Sequence, residues 1–162
     1  MFSLNGFLSA GEILDINGSF SVSNRKDGIP VGWEANGPTY WDDAATVALN
    51  LIEGKDGQAL QITTPSKAIH LYSNGIWPIS TGDQCVIKAM IKGKGEGALG
   101  IYVYPGCGLV QKTFQATEEW TEFAAKVTVP KVTPAIGEMR VVIVASPGSS
   151  VEFLNVTAEI VK

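Results

Sequence analysis

Apolar and polar residues alternate along most of the chain, and turn-forming residues interrupt the alternation roughly every eight to twelve positions. A period of two places successive side chains on opposite faces of a β-strand. The clearest alternation runs over 47–51, 60–64, 69–72, 84–92, 98–105, 123–129, 139–145 and 151–160, and shorter candidates lie at 12–16, 76–79 and 109–114.

Helical periodicity is weak throughout the sequence. No window of eleven or more residues shows a convincing period of 3.6, although the short stretches 81–83 and 116–119 suit a single helical turn. The pattern therefore predicts an all-β sandwich or barrel of about 10–11 strands with little or no helix.

Length and charge narrow the choice of partners. The 162 residues are enough for one domain, which we expect over 12–162 after an N-terminal arm or linker at 1–11. The net charge is −4 and no run of basic residues exceeds Arg25-Lys26, which argues against nucleic acid. The longest apolar runs, such as 141–145, are far shorter than a membrane-spanning helix, so no membrane partner is expected.

The cysteines and the single histidine do not form a metal-binding motif. Cys85 and Cys107 lack the spacing of a zinc site, and His70 has no second histidine to join it. If 84–92 and 98–105 form a hairpin, Cys85 faces a position near residue 105, within reach of a disulfide with Cys107. Two separate thiols are the alternative.

Short signatures follow one another in a recognisable order. They are N-G-S-F at 17–20, G-I-P-V-G-W at 28–33, G-Q-A-L-Q-I at 57–62, I-S-T-G-D at 79–83, F-Q-A-T-E-E-W-T-E-F at 114–123 with V-T-V-P at 127–130, and V-E-F-L-N-V at 151–156. Together they resemble the carbohydrate-binding modules of families 4, 9 and 22, which are galactose-binding-domain-like jelly rolls. The resemblance covers about residues 12–162 and implies a two-sheet antiparallel β-sandwich.

The resemblance also implies a structural Ca²⁺ that joins the N-terminal segment to the last strand. Such a site prefers carboxylate oxygens. This sequence has Ser21, Leu154 and Asn155 where the family usually has acids. The remaining candidate ligands are Asp15, Glu152 and Asn155, together with backbone carbonyls.

Two groups of aromatic residues are distinguished by their place in the pattern. Core positions are expected for Trp33 and Trp120, which match the G-W and E-W of the resemblance, and for Phe20, Phe114, Phe123 and Phe153. Tyr40 and Trp41 follow the turn formers at 36–38 and precede Asp42, so they are candidates for a sugar-stacking platform at the rim of the sandwich.

A second candidate platform lies on predicted strands. His70 and Tyr72 alternate with apolar residues, as do Tyr102 and Tyr104, so each pair should point away from the core. Arg140 has the same phase, and its planar fork suits vicinal hydroxyls or an acidic sugar, although an exposed salt bridge is the commoner role. Trp77 fits either face. Further polar candidates are Gln111, Lys112 and Asp42.

Catalysis is not expected from this sequence. The neighbouring acid pairs 42–43 and 118–119 point to opposite sides of an extended chain, whereas a glycosidase needs two facing carboxyls. The sequence and the resemblance together predict a non-catalytic module that binds an oligo- or polysaccharide, beside a catalytic domain of a larger extracellular or cell-surface protein. The start of the given chain has no signal peptide. The alternative is a structural, adhesive or oligomerising module, such as part of a phage tail, with no sugar ligand.

Overall fold

The computed structural model describes residues 11–20, 28–35, 48–54, 57–131 and 136–162. Within these ranges all regular structure is β-strand, and the twelve strands exceed the eleven candidates by the short β2, which the pattern did not predict. The strands are β1 (Glu12–Ile13), β2 (Trp33–Ala35), β3 (Ala48–Gly54), β4 (Gly57–Thr64), β5 (Ile69–Ser73), β6 (Trp77–Ser80), β7 (Gln84–Lys94), β8 (Glu96–Tyr104), β9 (Gly108–Gln115), β10 (Thr121–Thr128), β11 (Ile136–Ala145) and β12 (Ser149–Val161).

The strands form two antiparallel sheets of six. The first sheet has the order β10-β7-β12-β4-β3, with β1 pairing to β12, and the second has the order β2-β5-β11-β8-β9, with β6 pairing to β11. Both sheets contribute alternate residues to one hydrophobic core, such as Ile62 and Ile87 from the first and Ile101 and Val141 from the second. The fold is therefore the predicted β-sandwich. No helix of the described residues is long and apolar enough to cross a membrane.

Large aromatic residues fill the core much as the sequence predicts. Trp33, Phe20 and Phe153 have no exposed surface, and Phe114 is also buried. Phe123 is half-buried against the same cluster. Trp120 is an exception: the core prediction is wrong, because this ring is only partly buried and lies beneath Lys92, whose Nζ is 5.8 Å from the ring centroid.

Direct hydrogen bonds connect the N-terminal turn to the body of the sandwich. The amide of Val156 donates to the carbonyl of Gly18, and Trp33 Nε1 donates to the carbonyl of Asn17 over 3.3 Å. Gly18 is required here because a Cβ would lie 1.6 Å from the carbonyl oxygen of Val156. A backbone donor thus ties the N-G-S-F turn to the last strand, and an indole donor ties it to β2.

The three proposed calcium ligands lie in different surroundings. Glu152 lies on β12 directly opposite Lys92, and Asn155 occupies a bulge with a φ of 52°. Asp15 is exposed, and among the described residues no three His, Cys, Asp or Glu side chains come together in a way that would hold a metal. The structural calcium ion, with these three side chains and backbone carbonyls as its ligands, stays a prediction.

The hairpin between 84–92 and 98–105, on which the disulfide depended, does not form. Strands β7 and β8 are separated by one residue, yet they belong to different sheets. The chain crosses between the layers at Gly93 and Gly95, which have φ values of 134° and 94° and sit tightly against the first residues of β12. Cys85 therefore pairs with Val127 and Ile160, and both cysteines are free thiols.

Burial sets the chemistry of these thiols. It raises the pKa of Cys85 to about 12, and it also raises the pKa of Cys107 in the turn after β8. Both groups are consequently protonated and weakly nucleophilic near neutral pH.

Candidate functional site

The outer face of the second sheet carries a set of aromatic and charged side chains. In the ladder of β11 with its neighbours, Val142 is opposite Tyr72 of β5, and Arg140 is opposite Tyr102 of β8. Since paired residues share a face, alternate positions on the three strands project together away from the core. His70 and Tyr104 extend the same rows by one step.

These side chains line a groove of about 870 Å³. Its size is in the upper part of the range of pockets that hold small ligands. The lining residues are Ser66, Lys67, Ala68, His70, Tyr72, Ile76, Tyr102, Tyr104, Glu138, Arg140 and Pro147.

Small apolar residues lie beneath the aromatic rings. Ala98, Val142 and Val144 are buried although they point away from the main core, because Ala68 and Tyr72 pack against them. The next outward position on β8 is Gly100, where a Cβ would lie 2.3 Å from the carbonyl oxygen of Val110. Short side chains here leave the surrounding rings standing above the sheet.

The aromatic rings differ in how much surface they offer. Tyr72 and Tyr102 meet edge to face, with centroids 5.8 Å apart and planes at 88°, and the ring of His70 lies 6.3 Å from that of Tyr72. Tyr104 stands more freely, with 65% of its surface exposed against 36% for Tyr102. The groove thus has a fixed aromatic centre and a more open ring toward one end.

Arg140 is bound by its neighbours on two other strands. Its Nη2 lies 2.9 Å from Glu34 Oε2, its Nε donates to the carbonyl of Ser73 over 2.6 Å, and its Cζ lies 5.6 Å from the Tyr72 ring centroid. Arg140 thus lines the groove and forms a salt bridge, and its contact with a sugar stays a prediction.

Burial governs the ionisation of the aromatic groups in the groove. It raises the pKa of the Tyr72 phenol, with a further increase from Tyr102 and an opposing decrease from Arg140. Burial lowers the pKa of His70 below its ordinary value of 6.5. At neutral pH the groove therefore presents a neutral imidazole and a neutral phenol as hydrogen-bonding groups.

The lowered pKa of His70 predicts a pH-dependent stability. As the pH falls from about 7.5 to about 5, the unfolded chain takes up the proton before the folded chain does, so the free energy of unfolding decreases through the region just below pH 6.5. The loss should be modest, because the imidazole is only half-buried, and it should end once folded His70 is also protonated. Urea unfolding of wild type and His70→Gln across this range measures it. Parallel pH profiles for the two proteins would contradict the prediction.

The shared outward position of His70, Tyr72, Tyr102, Tyr104 and Arg140 is confirmed, and their role in binding stays a prediction. Trp77 is not in the groove: it pairs with the core residue Met139 and packs against the main hydrophobic cluster. Tyr40, Trp41 and Asp42 lie outside the described residues. Gln111 lies opposite Gly100 and Lys112 opposite Leu99, and neither lines the groove.

Sequence reasoning missed the groove residues that come from turns. Ser66, Lys67 and Ala68 precede β5, Ile76 precedes β6, and Pro147 lies between β11 and β12. Turns have no period that assigns a side chain to a face, so the sequence carried no signal that would place these residues in the groove. Glu138 was detectable, because it alternates in phase with Arg140.

Comparisons with known proteins identify the fold. No protein-family model and no curated protein sequence matches the chain. A variant of the family 29 carbohydrate-binding module CBM29-2 complexed with cellulohexaose matches 94% of this chain and 92% of its own, at 15% identity and a TM-score of 0.57. A variant of the same module complexed with mannohexaose matches 93% of this chain and 91% of its own, at 13% identity and a TM-score of 0.56.

A second kind of protein has a domain of the same shape. The enzymatically active domain of tailspike protein 4 from bacteriophage CBA120 matches 81% of this chain with 20% of its own, at 12% identity and a TM-score of 0.57. At these identities the similarities establish the β-sandwich fold. They do not confirm the finer assignment to families 4, 9 and 22.

Proposed function

We propose that this protein is a non-catalytic carbohydrate-binding module that holds an oligo- or polysaccharide in the groove on the outer face of the second sheet. The observation that carries the proposal is the groove itself, in which aromatic rings stand beside hydrogen-bonding groups on the outer face of the second sheet. An extracellular or cell-surface location, beside a catalytic domain that acts on the same polysaccharide, belongs to the proposal.

The chemistry of a sugar chain matches this lining. Each pyranose ring has apolar C–H patches that pack on an aromatic face and a rim of hydroxyls that need donors and acceptors. Tyr104 offers an exposed ring, while His70, Lys67 and Glu138 supply polar groups around it. An exposed groove of this kind is expected to bind at micromolar to millimolar strength, about −8 to −4 kcal/mol.

The structural similarities support the same class of ligand. The CBM29-2 complexes contain cellulohexaose and mannohexaose, two linear chains of six sugars. These two hexaoses are therefore the first soluble ligands to test.

Binding without chemical change is proposed because the carboxylates near the groove are poorly suited to hydrolysis. Of the described lining residues, only Glu138 is an acid, and the nearby Glu34 is engaged with Arg140 at 2.9 Å. Hydrolysis of a glycoside requires two carboxyls on opposite sides of the scissile bond.

Affinity electrophoresis through gels that contain single polysaccharides tests the proposal. Neutral glucans, mannans and xylans should be compared with polyuronates, and isothermal titration with the two hexaoses should follow. We expect retarded migration on at least one glycan and none for a β-sandwich protein without such a groove. Unchanged migration on every glycan, with no heat from either hexaose, would remove this function.

The similarity to the tailspike domain favours a second candidate, a structural or adhesive module of a larger assembly. The matched part is one fifth of that chain, as expected for one module among several. In a structural or adhesive module, another chain or module of the assembly would cover the groove. Multi-angle light scattering that finds a stable oligomer, together with a loss of that oligomer in Tyr104→Asp, would support it against the carbohydrate-binding module.

A further inference from the structure

Arg140 connects three strands at the centre of the groove. It projects from β11, its Nη2 bonds to Glu34 of β2, and its Nε bonds to the Ser73 carbonyl at the end of β5. Resting on the proposed carbohydrate function, we propose that Arg140 is a positioning residue that acts with Glu34 as a brace, holding Tyr72 against Tyr102 in the orientation that receives the sugar.

The geometry of the guanidinium group supports a positioning role. The donors Nε and Nη2 lie along one edge of a rigid plane, so two hydrogen bonds from that edge fix the plane. With the plane fixed, Cζ lies 5.6 Å from the Tyr72 ring centroid, within the range of a cation–π interaction. The cation therefore restrains the ring beside it.

The backbone that Arg140 contacts is itself anchored. Ser73 is fully buried, its Oγ accepts a hydrogen bond from the Val141 amide over 2.9 Å, and it directly follows Tyr72 in the chain. The bond from Arg140 Nε to the Ser73 carbonyl thus ties β5 to β11 at the residue next to Tyr72. This places the restraint close to the aromatic ring rather than at the rim of the groove.

Glu34 completes the brace from an edge strand. It is the direct cross-strand partner of Tyr72, and it does not line the groove. A ligand in the groove has no need to contact Glu34 for this residue to influence binding. If Arg140 acts as a brace with Glu34, replacing Glu34 weakens ligand binding. If Arg140 contacts the ligand directly, replacing Glu34 leaves the affinity unchanged.

The test measures the dissociation constant of the best glycan from the polysaccharide panel for wild type, Glu34→Gln, Arg140→Gln and the double variant. Glu122→Gln, an exposed acid on β10 of the other sheet, is the matched control. We expect Glu34→Gln and Arg140→Gln each to weaken binding roughly fivefold, with the double variant no weaker than Arg140→Gln alone. Affinity unchanged in Glu34→Gln, with a large loss in Arg140→Gln, would overturn the brace and show direct contact.

A readout without ligand keeps the inference separate from the carbohydrate function. Arg140 lowers the pKa of the Tyr72 phenol, so in Arg140→Gln the ultraviolet titration of the tyrosines should show one phenol moved to higher pH. Near-ultraviolet circular dichroism should change in both single variants and not in Glu122→Gln. If wild type binds no glycan, the carbohydrate function is overturned. If the tyrosine titration and the near-ultraviolet circular dichroism are unchanged in both variants, the brace is overturned.

Discussion

Replacement of Tyr102 by alanine is expected to raise the dissociation constant for the glycan at least about thirtyfold. Tyr102 is the central aromatic residue of the groove: it meets Tyr72 edge to face at 5.8 Å and lies directly opposite Arg140 in the ladder. Removal takes away a contact surface and leaves Tyr72 without its partner. Central aromatic anchors of binding sites typically cost about 2 kcal/mol or more on truncation, which corresponds to this change.

The same variant should remain folded, because Tyr102 points away from the main core and is partly exposed. Isothermal titration measures the affinity, and thermal unfolding checks the fold. Ile13→Ala is the matched control: Ile13 is a large exposed apolar residue of the first sheet, 80% exposed and remote from the groove in the topology. Wild-type affinity in a folded Tyr102→Ala protein would show that the groove is not the binding site.

Replacement of Trp33 by alanine is expected to lower the free energy of unfolding by about 3–5 kcal/mol. The indole has no exposed surface, packs on Phe20 with ring centroids 6.0 Å apart, and donates to the Asn17 carbonyl. The variant creates a large cavity and leaves that carbonyl without its indole donor. A domain of this size has only about 8–15 kcal/mol of stability to lose, so the effect should be obvious.

Urea unfolding followed by circular dichroism measures this loss. Trp33→Phe provides the graded comparison, because it keeps most of the apolar volume and removes only the indole donor and part of the ring. The decrease in the free energy of unfolding should be clearly smaller for Trp33→Phe than for Trp33→Ala. Equal stability of wild type and Trp33→Ala would mean that the buried indole of Trp33 does not contribute to the core as described.

The local sequence determined which residues share a face of a strand. It said much less about which strands are neighbours in a sheet. The alternation of His70 with Tyr72 and of Tyr102 with Tyr104 follows from the pleat of a single strand, so their outward position was predictable. That β11 lies between β5 and β8 depends on contacts across the whole chain. The same limit explains the incorrect hairpin, since Gly93 and Gly95 allow the chain to change sheets where a turn was expected.

The face of Trp77 shows a second limit. Its flanking residues Ile76 and Pro78 give no clear alternation, and only the pairing with Met139 directs the ring toward the core. Ile76 then becomes the exposed residue that lines the groove. In a short strand, one residue of register decides which of two apolar side chains meets the solvent.

The position of β11 between β5 and β8 has a consequence for when the groove can assemble during synthesis. Tyr72 and Tyr102 are made early, but the strand that separates and orients them is completed only at Ala145. A nascent chain or fragment that stops before residue 136 contains both tyrosines and none of the pairing that brings them together. The groove therefore assembles late, and we expect a glycan titration to count only those molecules in which this sheet is complete.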